Sequence, residues 1–237
     1  MSETPATASV TSSRWEDFID VFISPAELFR RRSDGKFGHA LLVLILLIGI
    51  VFFLTRNAMQ PIMDVEFQRS MAANPNMTPE RIETARKFAS SLAPVFVVVG
   101  LPITVFVLGA VIWLVGRVVG GRVNYAQAAT IATFGYFPRA LETITNGVQA
   151  LLMDEAKLTS RFSVSLGLGR LLDPTKVSAP LLALLGRVDL FTLWITVLVA
   201  VGLKQMTRIT TGQAVGGAVL VWLIGALPTL LQALRAG

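Results

Sequence analysis

The stretch GHALLVLILLIGIVFFL, residues 38–54, decides the fold class of this chain. It contains no Asp, Glu, Lys or Arg, and its one titratable side chain is His39. A bilayer core about 30 Å thick requires roughly 20 predominantly apolar residues of helix. The run therefore predicts a transmembrane helix over residues 37–54. The segment before it is too long and too patterned for the basic start of a signal peptide, so we interpret this helix as uncleaved.

The composition extends this interpretation to most of the chain. Of 237 residues, 53% are hydrophobic and 15% are charged, whereas a soluble domain carries about a quarter charged residues. Further apolar runs predict spans at about residues 93–115, 125–153, 188–203 and 213–234. The sequence therefore predicts an all-α fold, a polytopic membrane helix bundle over residues 37–236 with about five transmembrane helices.

The segment before the first span divides into two parts. Residues 1–13 are small and polar without apolar periodicity, which predicts a disordered tail. Residues 14–36 predict two amphipathic helices, the second opened by Ser24 as N-cap and Pro25 in the first turn. The aromatic and basic side chains of these helices form a candidate partner or interface face: Trp15, Phe18, Phe22, Phe29, Arg30, Arg31 and Arg32.

Two interpretations of this segment remain open. In the first, the rings lie in the headgroup zone of the membrane and the guanidinium groups lie near lipid phosphates. In the second, the two helices form a cytosolic cap that packs against the core of the bundle. Both predict amphipathic helices, so the pattern does not separate them.

Polar side chains interrupt the third predicted span. Arg139 and Glu142 are three residues apart and can pair on one helical face, which Asn146 and Gln149 extend. Arg187 and Asp189, near the start of the fourth span, form the rest of this candidate polar site. A charge at the bilayer centre costs about 2.5–3.5 kcal/mol. The set therefore predicts a path for a substrate or protons, a buried pair that joins helices, or a span tilted near the interface.

Small residues spaced four apart predict close helix packing. They are Gly116 with Gly120 and Gly212 with Gly216, and the contact is expected within the chain or with a second copy. Trp194 is also assigned to helix packing.

The sequence lacks the motifs of most enzymes and cofactor sites. Without cysteine there are no disulfides, thiolate metal sites or cysteine nucleophiles. Patterns of the GxxxxGK[ST], GxGxxG, HExxH and GxSxG types are absent. The net charge of +6 is spread between apolar runs, which argues against nucleic acid and favours the lipid bilayer as partner. We predict no enzyme, cofactor, metal or nucleotide.

Basic residues predict the orientation in the membrane. Residues 30–36 contain four Arg or Lys, and the short loops with Arg117 and Lys204 fall on the same side. Because short basic loops stay cytoplasmic, an N-terminus in the cytoplasm and a C-terminus outside are predicted.

Three stretches together resemble the YIP-domain family, membrane proteins named for binding Ypt/Rab GTPases in eukaryotes. They are FISPAELFRR (residues 22–31), GGRVNYAQAATIATFGYFPRAL (120–141) and VDLFTLWITVLVAVGLKQMTRITTGQAV (188–215). The resemblance implies five spans and a role in membrane organisation or trafficking through protein contacts, without catalysis. The short N-terminal region is more like that of bacterial members. The first predicted location is therefore a bacterial cytoplasmic (inner) membrane, and the second an ER or Golgi membrane.

Two main functional hypotheses follow from these patterns, beside a third possibility, an assembly subunit of a larger complex. The first is an adaptor or scaffold that binds membrane protein partners or a second copy of itself through the N-terminal helices. The alternative is a transporter or lipid-moving protein that uses the polar face of the third span.

Overall fold

The computed structural model describes residues 15–72, 78–173 and 176–236, so the predicted disordered tail lies outside the described residues. Within these ranges the chain is helical, and the only strand-like feature described is an isolated antiparallel bridge between Gly167 and Asp189. The all-α prediction is confirmed. The described α-helices are α1 Glu16–Ile23, α2 Pro25–Arg31, α3 Gly38–Ala72, α4 Pro79–Val95, α5 Leu101–Val118, α6 Tyr125–Gly135, α7 Phe137–Leu152, α8 Ala179–Leu185, α9 Leu190–Thr207 and α10 Thr211–Ala236.

Four segments of the described chain are long and apolar enough to cross a membrane. They are Gly38–Arg69, Glu80–Val118, Leu190–Thr207 and Thr211–Leu234. The remaining predicted span, residues 125–153, is occupied by α6 and α7, which are separated at Tyr136. Pro138 has no N–H to donate to the preceding turn and lies in the first turn of α7, where a proline is tolerated, so the helical hydrogen bonding is interrupted just before it. The described residues thus contain four candidate spans, and the predicted number of about five is approximate.

The first two predicted spans belong to longer helical segments. α3 continues past the apolar run to Ala72, and α4 begins at Pro79, where the Thr78 side chain accepts a hydrogen bond from the Arg81 N–H at 3.4 Å. An ion pair of 2.9 Å between Arg86 and Asp64 joins these extensions. A turn of π-helix, Phe96–Gly100, connects α4 to α5. Both helices therefore extend beyond the apolar runs, and the polar extensions are held together by this ion pair.

One main core includes the N-terminal helices as well as the bundle. Leu28 and Phe29 of α2 are fully buried with Leu44 of α3, Val105 of α5 and Leu203 of α9. α1 and α2 therefore cover the bundle by packing against its core. The close approach of α3 and α7 depends on Gly147, whose position leaves room for Thr55 of α3.

Candidate functional site

The start of α9 provides the first part of the polar site. The Asp189 carboxylate caps the helix by accepting hydrogen bonds from the N–H groups of Phe191 at 3.0 Å and Thr192 at 2.9 Å. The Thr192 hydroxyl also donates to Asp189. An acidic N-cap satisfies free helical N–H groups and complements the positive end of the helix. Asp189 is buried, so this capping arrangement is a fixed part of the interior.

Arg139 joins α7 to this cap. Its guanidinium forms an ion pair with Glu142 one turn later and donates a hydrogen bond to the Thr192 hydroxyl at 2.8 Å. The side chains of Arg139 and Glu142 are 28% and 21% exposed. Four side chains from two helices therefore form one connected network: Arg139, Glu142, Asp189 and Thr192.

A cavity of about 330 Å³ lies beside this network. The charged side chains that line it are Arg139, Glu142, Arg161, Arg187 and Asp189. Arg139 is paired with Glu142, whereas Arg161 and Arg187 form no ion pair with any residue in the described ranges. Three positive and two negative side chains leave the cavity with a net positive charge, concentrated on two unpaired guanidinium groups.

Two lining side chains have polar atoms without partners. Asn146 Oδ1 and Arg187 Nε are buried and make no hydrogen bond to the part of the chain that the structure describes. Burial lowers the pKa of Arg187 and the charge of Arg139 lowers it further, against the opposing effect of the Asp189 carboxylate. A buried polar atom without a partner costs about 1–3 kcal/mol. The cavity thus offers one acceptor and one donor that a ligand could satisfy.

The structure brings together five of the six residues predicted for the polar site. Gln149 is the exception: its amide donates to the Val164 carbonyl at 2.7 Å and accepts from Arg170 at 2.6 Å, and it does not line the cavity. Thr192 and Arg161 were missed by the sequence analysis. The Asp-x-x-Thr spacing of a helix cap could have indicated Thr192, whereas Arg161 lies in a turn between α7 and α8 without a distinguishing pattern.

The aromatic residues of the predicted N-terminal face point in different directions. Phe29 is fully buried, the Phe18 ring lies 5.4 Å from Phe137, and the Phe22 ring lies 5.3 Å from Trp194, an edge-to-face contact. Trp15 alone of the four is exposed. Three of the four rings thus pack against the protein, as in the interpretation of a cap, because their apolar surface is shared with the core.

The three arginines at the end of α2 are also paired within the protein. Asp17, only 3% exposed, accepts from Arg31 at 2.6 Å and from Arg32 at 2.7 Å. Asp20 accepts from Arg31 at 2.7 Å, and Arg30 pairs with Glu27. Burial opposes the charge of Arg31, but the hydrogen bonds and charges of Asp20 and Asp17 raise its pKa. Arg31 and Arg32 therefore hold α1 against α2.

The four glycines assigned to helix packing occupy different environments. A Cβ at Gly116 would lie 2.7 Å from Val123, so this position permits a close contact. Gly120 has a φ of +89° in the turn after α5, a conformation that favours glycine. A Cβ at Gly212 or Gly216 would meet nothing within 4 Å. Only Gly116 therefore makes room for a neighbouring element of the chain.

Fold and site together define a polytopic α-helical membrane protein with a charged cavity among its helices. The model of the Yip1 domain matches residues 19–231 of the chain. The chain therefore belongs to the Yip1 domain family, as the sequence resemblance predicted, and this family is not an enzyme family.

Comparison with curated proteins and with solved structures gave no significant match. In the described residues, no group of three or more His, Asp or Glu side chains could hold a metal ion.

Proposed function

We propose that this protein binds an anionic substrate in the cavity beside Arg139 and acts as a transporter or lipid-moving protein. The observation that supports this function is the presence of two unpaired guanidinium groups, Arg161 and Arg187, beside the paired Arg139 and Glu142. Arg187 is partly buried between α8 and α9, and a partly desolvated charge is costly unless a counter-charge compensates it. An anion would pair with these two guanidinium groups, which have no carboxylate partner in the described residues, by charge-assisted hydrogen bonds.

Flux through liposomes containing the purified protein tests this proposal. Two probes are followed: uptake of radiolabelled glycerol 3-phosphate, and transbilayer movement of phosphatidylglycerol with a fluorescent headgroup-proximal label. We expect the wild type to accelerate at least one of them over protein-free liposomes. Glu142→Gln removes the charge that positions Arg139, and Arg187→Gln removes a free cation. Each is expected to reduce the protein-dependent rate about tenfold or more.

Matched controls use the same substitutions at exposed positions outside the cavity. Glu155→Gln and Arg122→Gln are expected to retain the wild-type rate, because both side chains are exposed and neither lines the cavity. Thermal unfolding of each variant verifies that it is folded. Equal rates for folded Glu142→Gln, folded Arg187→Gln and the wild type would contradict the proposal, as would a wild type that moves neither probe.

A second candidate function, the adaptor, is favoured by a different surface. Trp15, the residue before α1, and Ile19 and Ile23 within α1 are exposed and spaced four residues apart, which places them in one apolar row. Such a row, next to the inward-facing Phe18 and Phe22, could dock a membrane protein partner or lie in the interface. This surface differs from the predicted face, which included the buried Phe29.

Site-specific photo-crosslinking in cells tests the adaptor function. A photoreactive amino acid at Ile19 is expected to crosslink to a defined protein, and the same residue at the inward-facing Phe22 to this chain itself. Replacing Trp15 and Ile23 by serine should abolish the crosslink from position 19. Adducts with lipid alone at position 19 would instead identify the row as a membrane-contacting surface and contradict the adaptor.

A further inference from the structure

An apolar groove adjoins the charged cavity. It has a volume of about 370 Å³ and runs between α5, α9 and α10. Its apolar lining includes Val107 of α5, Ile195 of α9 and Trp222 of α10. The groove and the cavity share three lining residues, which are Arg139, Arg187 and Thr192. The polar space and the apolar space are therefore neighbours that border the same three side chains.

Arg187 lies at the junction of the two spaces. Its guanidinium is 5.8 Å from the Trp222 ring and donates a hydrogen bond to the Trp222 carbonyl at 3.5 Å. A Cβ on Gly225 of α10 would lie 3.1 Å from Arg187 Nη2, so the absence of a side chain there leaves room for the guanidinium. The charged end of Arg187 is thus held where the groove meets the cavity.

The position along the membrane-crossing helices fits a lipid headgroup. α9 has 18 residues, and at 1.5 Å per residue it is about 27 Å long, close to the thickness of a bilayer core. Asp189 and Thr192 mark its first turn. A bilayer core spanned by α9 would therefore have one edge at this first turn, which places the cavity where the headgroups meet the acyl chains.

We infer that the substrate is an anionic phospholipid, with its phosphate bound by Arg187 and Arg161 in the cavity and an acyl chain in the adjoining groove. This inference rests on the proposed function, because it names the substrate of the same site. The net positive charge of the cavity favours a headgroup without a cation. A hydroxyl on that headgroup, as in phosphatidylglycerol, would donate to the unpaired Asn146 Oδ1. A soluble anion would pair with the two arginines of the cavity but would leave the apolar groove without an occupant.

The fluorescence of Trp222 can report whether an acyl chain occupies the groove, because Trp222 lines it. The whole chain is placed in nanodiscs of unlabelled phosphatidylcholine. Increasing fractions of a lipid with brominated acyl chains are then added, either brominated phosphatidylglycerol or brominated phosphatidylcholine. Bromine quenches tryptophan on contact, and subtracting the signal of Trp222→Phe isolates the contribution of Trp222. At equal mole fraction, we expect brominated phosphatidylglycerol to quench Trp222 more strongly than brominated phosphatidylcholine.

Variants on the two sides of the junction test both halves of the inference. Arg187→Gln should weaken the apparent affinity for phosphatidylglycerol about tenfold. Val107→Phe should reduce the quenching by filling the groove, whereas Ile103→Phe on the same helix should leave it unchanged. Val107 and Ile103 are 58% and 57% exposed, and only Val107 lines the groove. The comparison of the two lipids in the wild type requires no substitution.

A parallel measurement with glycerol 3-phosphate separates the two proposals. If both lipids quench equally while glycerol 3-phosphate raises the Tm of the wild type and not of Arg187→Gln, the lipid is the wrong substrate and the anion site stands. If neither lipid preference nor a Tm shift is found, both proposals fail. A preference that persists in folded Arg187→Gln and Val107→Phe would place the lipid elsewhere and overturn the inference.

Discussion

Gly147→Val is expected to lower the free energy of unfolding of the protein by about 3 kcal/mol, at the upper end of the usual cost of overpacking a core. A Cβ on Gly147 would lie 2.2 Å from Thr55 Cγ2 and 2.8 Å from Thr55 Cβ, far inside van der Waals contact. The Thr55 hydroxyl is held by a hydrogen bond to the Val51 carbonyl at 2.9 Å. Relief of the clash therefore requires α7 to move away from α3.

Thermal unfolding in detergent measures this effect, with an expected decrease in Tm of about 10 °C. Gly216→Val is the matched control, since it makes the same change on a membrane helix where a Cβ would meet nothing within 4 Å. We expect its Tm to remain near that of the wild type. Adding Thr55→Ala to Gly147→Val should restore part of the loss, because the two positions are in contact. Equal Tm values for the two valine variants would contradict the described α3–α7 contact.

Much of the fold could be predicted because a bilayer imposes a simple condition on sequence. Each span needs a long apolar run, and the runs after Gly38 and Thr211 stand out by hydropathy alone. The broken pair α6 and α7 was predicted as one span because hydropathy does not register the loss of a backbone donor at Pro138. The extension of α3 beyond the apolar run was missed because hydropathy ends the helix where polar residues begin. In the structure these polar turns continue as helix and pair with α4 through Asp64 and Arg86.

The candidate site was predictable where it depends on helical spacing. Arg139 and Glu142 are three residues apart, so a helix alone brings them together. Arg161 enters the cavity through the path of a connecting turn, which is a tertiary property with no local pattern. The sequence also did not determine that Phe18 and Phe22 face inward, because an apolar helix face suits a protein core and a lipid surface alike.

Arg139→Met is expected to destabilise the protein by about 3 kcal/mol. Removing one member of a buried ion pair leaves its partner as an unpaired buried charge, which typically costs 3–5 kcal/mol. The lower value applies because Glu142 remains 21% exposed. The Thr192 hydroxyl also loses the donor that joins α7 to α9. We expect a decrease in Tm of about 10 °C, against no change for Arg122→Gln, whose side chain is exposed.

The double variant Arg139→Met with Glu142→Leu separates a structural pair from a functional one. Replacing both members of a buried pair by apolar side chains of similar size is often neutral or stabilising, so the Tm should return toward the wild-type value. Flux should not return, because the cavity would then lack the paired charges that border Arg187. Recovery of both Tm and flux would mean that Arg139 and Glu142 only hold α7 in place. Recovery of Tm without flux would mean that the helices can be joined without this pair, and that its charges are retained for the substrate.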